Sequence, residues 1–242
     1  MSATRATKAV KAVAARAWAA PLLVLLAATR AAALDDPLAI ELPEVPVMPG
    51  METRWIGERM AWNGLPLSAR LFRTPEAPQA VLAWYERAWS RRGRGEVVRD
   101  RQGPWRVIGY RDGEHWLTVR VRAGRGGGSE GVLAASLRPD RVRPRREAGL
   151  PLPPGVRVLH VLESLDGTRR ARSLTLRSPY APEATLARIR ARLGEAGWRA
   201  VPDSLAQARG GVQQSFQRDA ALCQVSVTAD GRGSLALVHV VR

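Results

Sequence analysis

One stretch of the sequence occurs twice, and this duplication constrains the fold more than any other feature. Segment 74–93 reads TPEAPQAVLAWYERAWSRRG, and segment 178–197, which lies 104 residues later, reads SPYAPEATLARIRARLGEAG. In each copy apolar residues recur at i, i+3 and i+7, which is one face of an amphipathic helix that begins near the second proline. The matched positions are Pro75 with Pro179, Pro78 with Pro182, Leu82 with Leu186, Tyr85 with Ile189, Trp89 with Leu193, and Gly93 with Gly197. We therefore predict two copies of one module.

Alternating apolar and polar residues around each helix indicate β-strands. Hairpin signals separate several of them: Asn63-Gly64, Asp112-Gly113, Asp166-Gly167 and Asp230-Gly231. The order is β-β-α-β-β-β-β in each module, with one strand more or less. This order predicts an α+β fold class, with two tandem pseudo-repeats that each pack one helix on an antiparallel sheet. The last strand, Leu235–Val241, is apolar on both faces, so we predict that it lies inside a sheet.

The first 33 residues have the parts of a secretory signal peptide. Basic residues precede a 12-residue apolar run at 17–28, and three alanines follow at 31–33. A run of this length is too short to cross a bilayer, which needs about 20 residues. We predict cleavage after Ala33 and a periplasmic or secreted protein; a retained N-terminal membrane anchor is the alternative.

The predicted mature chain is strongly basic, and all of its basic side chains are arginines. Removing the five basic residues of the signal peptide lowers the formal net charge of +16 to +11. Arginine suits phosphates and carboxylates, so one interpretation is a protein that binds a polyanion. The other is a GC-rich genome that encodes arginine in place of lysine. We favour the second interpretation because the arginines are spread along the chain.

Two proline-rich segments divide the chain. Residues 34–52 form an extended acidic segment, which either lies back on the modules or is offered to a partner. Residues 139–155 are rich in arginine and proline and are predicted to be a linker. Module 1 then covers residues 53–138, and module 2 covers residues 156–242.

No motif of a known catalytic or metal site is present. The three histidines are far apart in the sequence, and the acidic residues cluster at turns. The one cysteine, Cys223, alternates with valines and is predicted to be buried in the core. We therefore predict no catalytic residue, no metal and no cofactor.

Six of the seven tryptophans in the predicted mature chain belong to module 1. Trp62 and Trp89 match core positions, whereas several others have arginine neighbours. Tryptophan beside arginine is typical of surfaces that stack sugars or single-stranded nucleic acid. The candidate binding face comprises Trp84, Trp105, Trp116, Arg106, Arg120 and Arg122.

The order of strand, Ser/Thr-Pro, helix and Gly-Trp resembles uncharacterised secreted proteins of Gram-negative bacteria that carry small α+β modules. The resemblance implies a location in the cell envelope and no activity. Our first hypothesis is a non-catalytic protein that binds or scaffolds another envelope protein. The alternatives are a binder of an anionic polymer (lipopolysaccharide, acidic glycan or nucleic acid) and an envelope enzyme of unknown reaction. The oligomeric state is not predicted.

Overall fold

The computed structural model describes residues 36–93, 95–208 and 211–242. The predicted signal peptide, residues 1–33, lies outside these ranges. Two short 3-10 helices, Pro37–Ala39 and Pro139–Arg141, and two α-helices, α1 (Pro78–Ser90) and α2 (Pro182–Glu195), are present in the described part. The strands are β1 (Glu52–Trp62), β2 (Leu65–Thr74), β3 (Glu96–Gln102), β4 (Trp105–Asp112), β5 (His115–Ala123), β6 (Ser129–Leu137), β7 (Arg157–Asp166), β8 (Arg169–Ser178), β9 (Arg199–Ala200), β10 (Ala206–Ala208), β11 (Gly211–Arg218), β12 (Ala221–Asp230) and β13 (Gly233–Val241).

All thirteen strands belong to one antiparallel sheet, so the predicted α+β fold of two tandem modules is wrong. The fold is mostly β. The strand order is β10-β11-β12-β13-β8-β7-β1-β2-β6-β5-β4-β3, and β9 pairs with β11 outside this path. We call β1–β6 the first half of the sheet and β7–β13 the second half. As predicted, β13 is an interior strand, because it lies between β12 and β8.

The two halves are joined where β1 pairs with β7. The register aligns Arg59–Trp62 with Leu162–Leu165. Asn63, in the left-handed region at φ 50°, fastens the same junction: its N–H donates to the Val161 carbonyl at 2.8 Å, and its Oδ1 accepts from the Val161 N–H at 2.9 Å. The hairpin signal Asn63-Gly64 was visible in the sequence, but its contact with a strand nearly 100 residues away was not.

Both helices pack on the same face of the sheet. In the first half α1 packs on β3, β4 and β5, and its residues Val81, Tyr85 and Trp89 are buried. In the second half Leu186, Ile189 and Leu193 of α2 are buried in the corresponding way. Successive side chains of a strand point to opposite faces, so the alternate residues of every strand lie on the other face. No helix in the described residues covers that other face, which we call the uncovered face.

Each proline-rich segment contributes to one of the two cores. Val45, Met48 and Met51 are buried in the first core, and the Tyr85 hydroxyl donates to the Pro46 carbonyl at 2.7 Å. Of the two alternatives for the acidic segment, the structure shows that it lies back on its own chain. Leu150 and Leu152 of the predicted linker pack against the second core in a similar manner. No helix in the described part of the chain has the length and apolar character needed to cross a membrane.

Candidate ligand-binding face

The structure brings four of the predicted binding residues to the uncovered face of the first half. Leu117, Val119 and Val121 of β5 point into the core. The alternate residues of this strand, Trp116, Arg120 and Arg122, therefore lie on the uncovered face. Trp105, on the neighbouring strand β4, lies on the same face, since both arginines reach over its ring.

The other two predicted residues lie on the helix side of the sheet. Trp84 belongs to α1, is partly buried against the first core, and makes an edge contact with Tyr85. Arg106 shares its face with the buried Ile108, and its Nη1 atom lies 3.0 Å from the Gln79 amide of α1. A ligand on the uncovered face is therefore separated from both residues by the thickness of the sheet.

Trp105 organises two guanidinium groups. The Cζ atom of Arg122 lies 4.5 Å from the centre of the Trp105 ring, and that of Arg120 lies 5.2 Å from it. Both distances are typical of cation–π contacts. Glu130 of β6 holds Arg122 from the other side, because its Oε1 accepts from Nε at 2.9 Å and from Nη2 at 2.5 Å. The two arginines are thus positioned before any ligand arrives.

Arg120 has an unsatisfied hydrogen-bond donor. Its Nε atom is buried and has no hydrogen-bond partner in the described structure. Burial lowers the pKa of the Arg120 guanidinium. Arginine nevertheless remains charged in proteins. A charged donor held half-buried without an acceptor favours the approach of an anion.

Two further arginines, which sequence reasoning missed, border the same area. Arg73 of β2 and Arg54 of β1 are exposed on the uncovered face, and the apolar side chains of Leu71 and Val132 lie between them and β5. Together with Trp105 and Arg122 these residues line a shallow groove of about 580 Å³. We call the set Arg54, Leu71, Arg73, Trp105, Arg120, Arg122, Glu130 and Val132 the Arg–Trp patch. Arg54 and Arg73 became recognisable only with the register of β1, β2 and β6.

The Arg–Trp patch carries an excess of positive charge. Three of its four arginines, Arg54, Arg73 and Arg120, have no carboxylate oxygen within 4.0 Å among the described residues. Glu130 neutralises Arg122, and Glu52 of β1 lies opposite Arg73 in the register. Counting Glu52, four arginines face two glutamates, so a net charge of about two remains to attract an anion.

Trp116 lies on β5, four residues before Arg120 of the patch, and has a structural contact of its own. Its ring packs on Gly109 of β4, where an added Cβ atom would come within 2.9 Å of Trp116 Cζ2. Gly109 is thus required by the close approach of the ring. Trp116 therefore lies beside the patch but does not line its groove.

The buried ionisable groups elsewhere do not converge. Cys223 is 1% exposed in the second core, as predicted, and burial raises the pKa of its thiol to about 12. A thiol in this environment is a poor nucleophile. Three or more potential metal ligands do not cluster anywhere in the described ranges. The Arg–Trp patch is therefore the best candidate for a functional site.

Comparisons with protein-family models, with curated proteins and with solved structures found no match to this chain.

Proposed function

We propose that this chain is a non-catalytic binding protein that holds an anionic polymer on the Arg–Trp patch. One arrangement supports this proposal most directly. Arg120 and Arg122 are stacked around Trp105, and Arg54 and Arg73 lie beside them without carboxylate partners in the described structure. Guanidinium groups that are already oriented lose little freedom on binding a phosphate or carboxylate. The open groove accepts an extended chain more readily than it encloses a small molecule.

The predicted secretory signal peptide is part of this proposal. Export would place the basic surface among the anionic polymers of a bacterial cell envelope. Fusion of residues 1–33 to a reporter that is active only outside the cytoplasm tests the location. An inactive reporter would exclude the envelope while leaving the binding proposal to its own test.

The binding test uses heparin as a generic anionic polymer and compares two triple variants that remove the same charge. Arg54→Gln/Arg73→Gln/Arg120→Gln removes three cations of the patch. Arg169→Gln/Arg199→Gln/Arg232→Gln removes three exposed cations of the second half. Each exposed ionic contact is worth up to about 1 kcal/mol, so we expect the patch variant to lose on the order of tenfold in affinity and the control to stay within about twofold.

Salt dependence provides the second measurement. Neutralised anionic groups release counterions, so affinity for the polymer should fall steeply as salt increases. The slope of this dependence should become shallower in the patch variant and remain close to wild type in the control. Equal losses of affinity in the two variants would show that binding depends only on the overall charge and that the Arg–Trp patch is not the binding site.

A second candidate function, docking of an envelope protein, is favoured by a different observation. The pairing of β1 with β7 stops at Arg59, so Glu52–Glu58 pair only with β2. Ile56 lies at a bulge of this segment and is 53% exposed. A strand that lacks a neighbour on one side offers backbone groups to a partner strand.

This second function is tested with lysine substitutions at two equally exposed apolar positions. Ile56→Lys places a charge on the open side of β1, whereas Leu222→Lys places one on β12, which is paired on both sides. A protein partner recovered from the envelope fraction with wild type and Leu222→Lys, and lost with Ile56→Lys, supports strand addition. Equal recovery with all three proteins rules this edge out.

A further inference from the structure

The pattern of charges in the Arg–Trp patch indicates which class of anionic polymer it binds, and this inference rests on the proposed anion-binding function. Four neighbouring strands place Arg122, Glu130, Arg73 and Glu52 opposite one another in one cross-strand row. The charges in this row alternate in sign. Such a row presents hydrogen-bond donors and acceptors in turn, instead of a continuous line of donors.

The adjacent row has a different character. It runs from Arg120 through Val132 and Leu71 to Arg54. Neighbouring strands are separated by about 4.8 Å, so the strands that carry Arg120 and Arg54 lie about 14 Å apart. Two cations at this separation flank a floor of aliphatic side chains.

A nucleic acid does not match these two rows. Its phosphates follow one another closely and offer only acceptors, and the two glutamates would repel them. Single-strand binding sites also stack successive bases on exposed aromatic rings. Trp105 is the one aromatic residue of the patch, and Arg122 occupies a face of its ring.

An acidic glycan matches both rows. Sugar hydroxyl groups can donate to the carboxylates of Glu52 and Glu130, while the acidic groups of the glycan accept from the arginines. The C–H faces of the sugar rings suit the floor formed by Leu71 and Val132. We propose that the Arg–Trp patch binds an acidic glycan, whose acidic groups contact the arginines and whose hydroxyls contact Glu52 and Glu130.

Glu52→Gln distinguishes an acidic glycan from a simple polyanion, because this substitution should change the affinities for the two ligands in opposite directions. Glu52 is exposed and makes no salt bridge or side-chain hydrogen bond in the described structure, so its substitution should leave the fold intact. The probes are a hexamer of galacturonic acid, its methyl ester, and the oligonucleotide (dT)12, measured by calorimetry at constant ionic strength. We expect Glu52→Gln to lower the affinity for the galacturonate hexamer by on the order of fivefold, since a sugar hydroxyl loses its charged acceptor. The same substitution should raise the affinity for (dT)12, because it removes a negative charge that repels the phosphates.

The matched control is Glu183→Gln, which removes an exposed carboxylate from the first turn of α2 in the second half. It should leave the ratio of the two affinities unchanged. The methyl ester should bind more weakly than the acid in every variant. Tighter binding of both probes by Glu52→Gln, or a wild-type preference for (dT)12, would overturn the glycan assignment while the proposed function stands. If wild type binds none of the probes, the proposed function itself fails.

A last arm separates a free glycan from the sugar part of a lipid. Intact lipopolysaccharide is compared with its delipidated polysaccharide at equal sugar concentration. Similar affinities support recognition of the sugar. An affinity that depends on the acyl chains by tenfold or more would assign the surface to a lipid and contradict the proposal.

Discussion

The two halves of the sheet are alike on the helix side and different on the uncovered face. The register of the strands aligns Trp105, Arg120 and Arg122 of the first half with Gly211, Ser226 and Thr228 of the second. Glu130 similarly corresponds to Leu235. The second half therefore presents glycine, hydroxyl and aliphatic groups at these four positions, whereas Arg73 corresponds to another exposed arginine, Arg177.

This difference separates what the fold requires from what it leaves open. The helix side of both halves must bury apolar area to stabilise the protein, and both cores contain aliphatic and aromatic residues. The uncovered face has no such requirement, so its composition can follow function. The two stacked arginines of the second half, Arg188 and Arg218, lie on the helix side, whereas Arg120 and Arg122 stack on Trp105 on the uncovered face. This difference is the reason for placing the binding site in the first half.

The largest effect that we expect concerns the two cores. Trp89→Ala should destabilise the protein by about 3–5 kcal/mol, and Leu193→Ala, at the corresponding place in α2, by about 2–5 kcal/mol. Because the sheet is continuous through β1 and β7, both variants should lower the same single unfolding transition in thermal melts. Two separate transitions, each lowered by one variant, would show that the halves unfold independently.

The junction between the halves should contribute a smaller amount. Asn63→Ala removes the acceptor of the Val161 N–H, which is buried, and should cost about 1–3 kcal/mol. Asn63→Asp keeps an acceptor oxygen in the same place and is the matched control. Denaturant unfolding measures both. Equal losses in the two variants would mean that this hydrogen bond is not what stabilises the junction.

Adding arginines to the second half tests whether arginine side chains without a tryptophan are enough to form a binding site. Ser226→Arg/Thr228→Arg places two cations at the positions that correspond to Arg120 and Arg122, but Gly211 stands in place of Trp105. Without a ring to orient them, the new side chains should raise heparin affinity by no more than about twofold. A stoichiometry of two sites per chain in calorimetry would contradict the role of Trp105.

The smallest effect concerns His160, which corresponds by register to Arg54. Burial and the charge of Arg146 lower the pKa of His160, whose ring is stacked on Trp62 at 4.8 Å. The unfolded chain therefore binds a proton at His160 more readily than the folded chain does. The contribution of neutral His160 to stability should be fully present above the unfolded-state pKa of about 6.5, and it should be lost as the pH falls below this value. Melting temperatures at pH 7.5 and 5.5 measure this decrease. It should be smaller in His160→Gln and in Arg146→Gln, and an unchanged decrease in both would assign it to other groups.

The sequence was sufficient for individual elements. The helix predicted to begin at Pro78 does so, and the spacing of Tyr85 and Trp89 correctly placed both in a core. The periods of helices and strands are local properties, which explains this agreement.

The assembly of those elements was beyond local patterns. Nothing in the spacing of residues shows that Trp62 pairs with Leu162, and this pairing converts two predicted modules into one sheet. The candidate site was affected in the same way. Trp105, Arg120 and Arg122 were identified from composition and alternation, whereas Arg54 and Arg73 join them only through the pairing of β1, β2 and β6. Trp84 and Arg106 were grouped with them by proximity in sequence, although the sheet separates the two sets.

The most direct test is to map the binding of heparin onto the uncovered face by amide chemical-shift perturbation. If the Arg–Trp patch is the site, the shifts will be largest at Trp105, Arg120, Arg122 and Arg73, and small along β11, β12 and β13. Shifts of equal size in the two halves, or larger shifts around Ser226 and Thr228, would contradict the account.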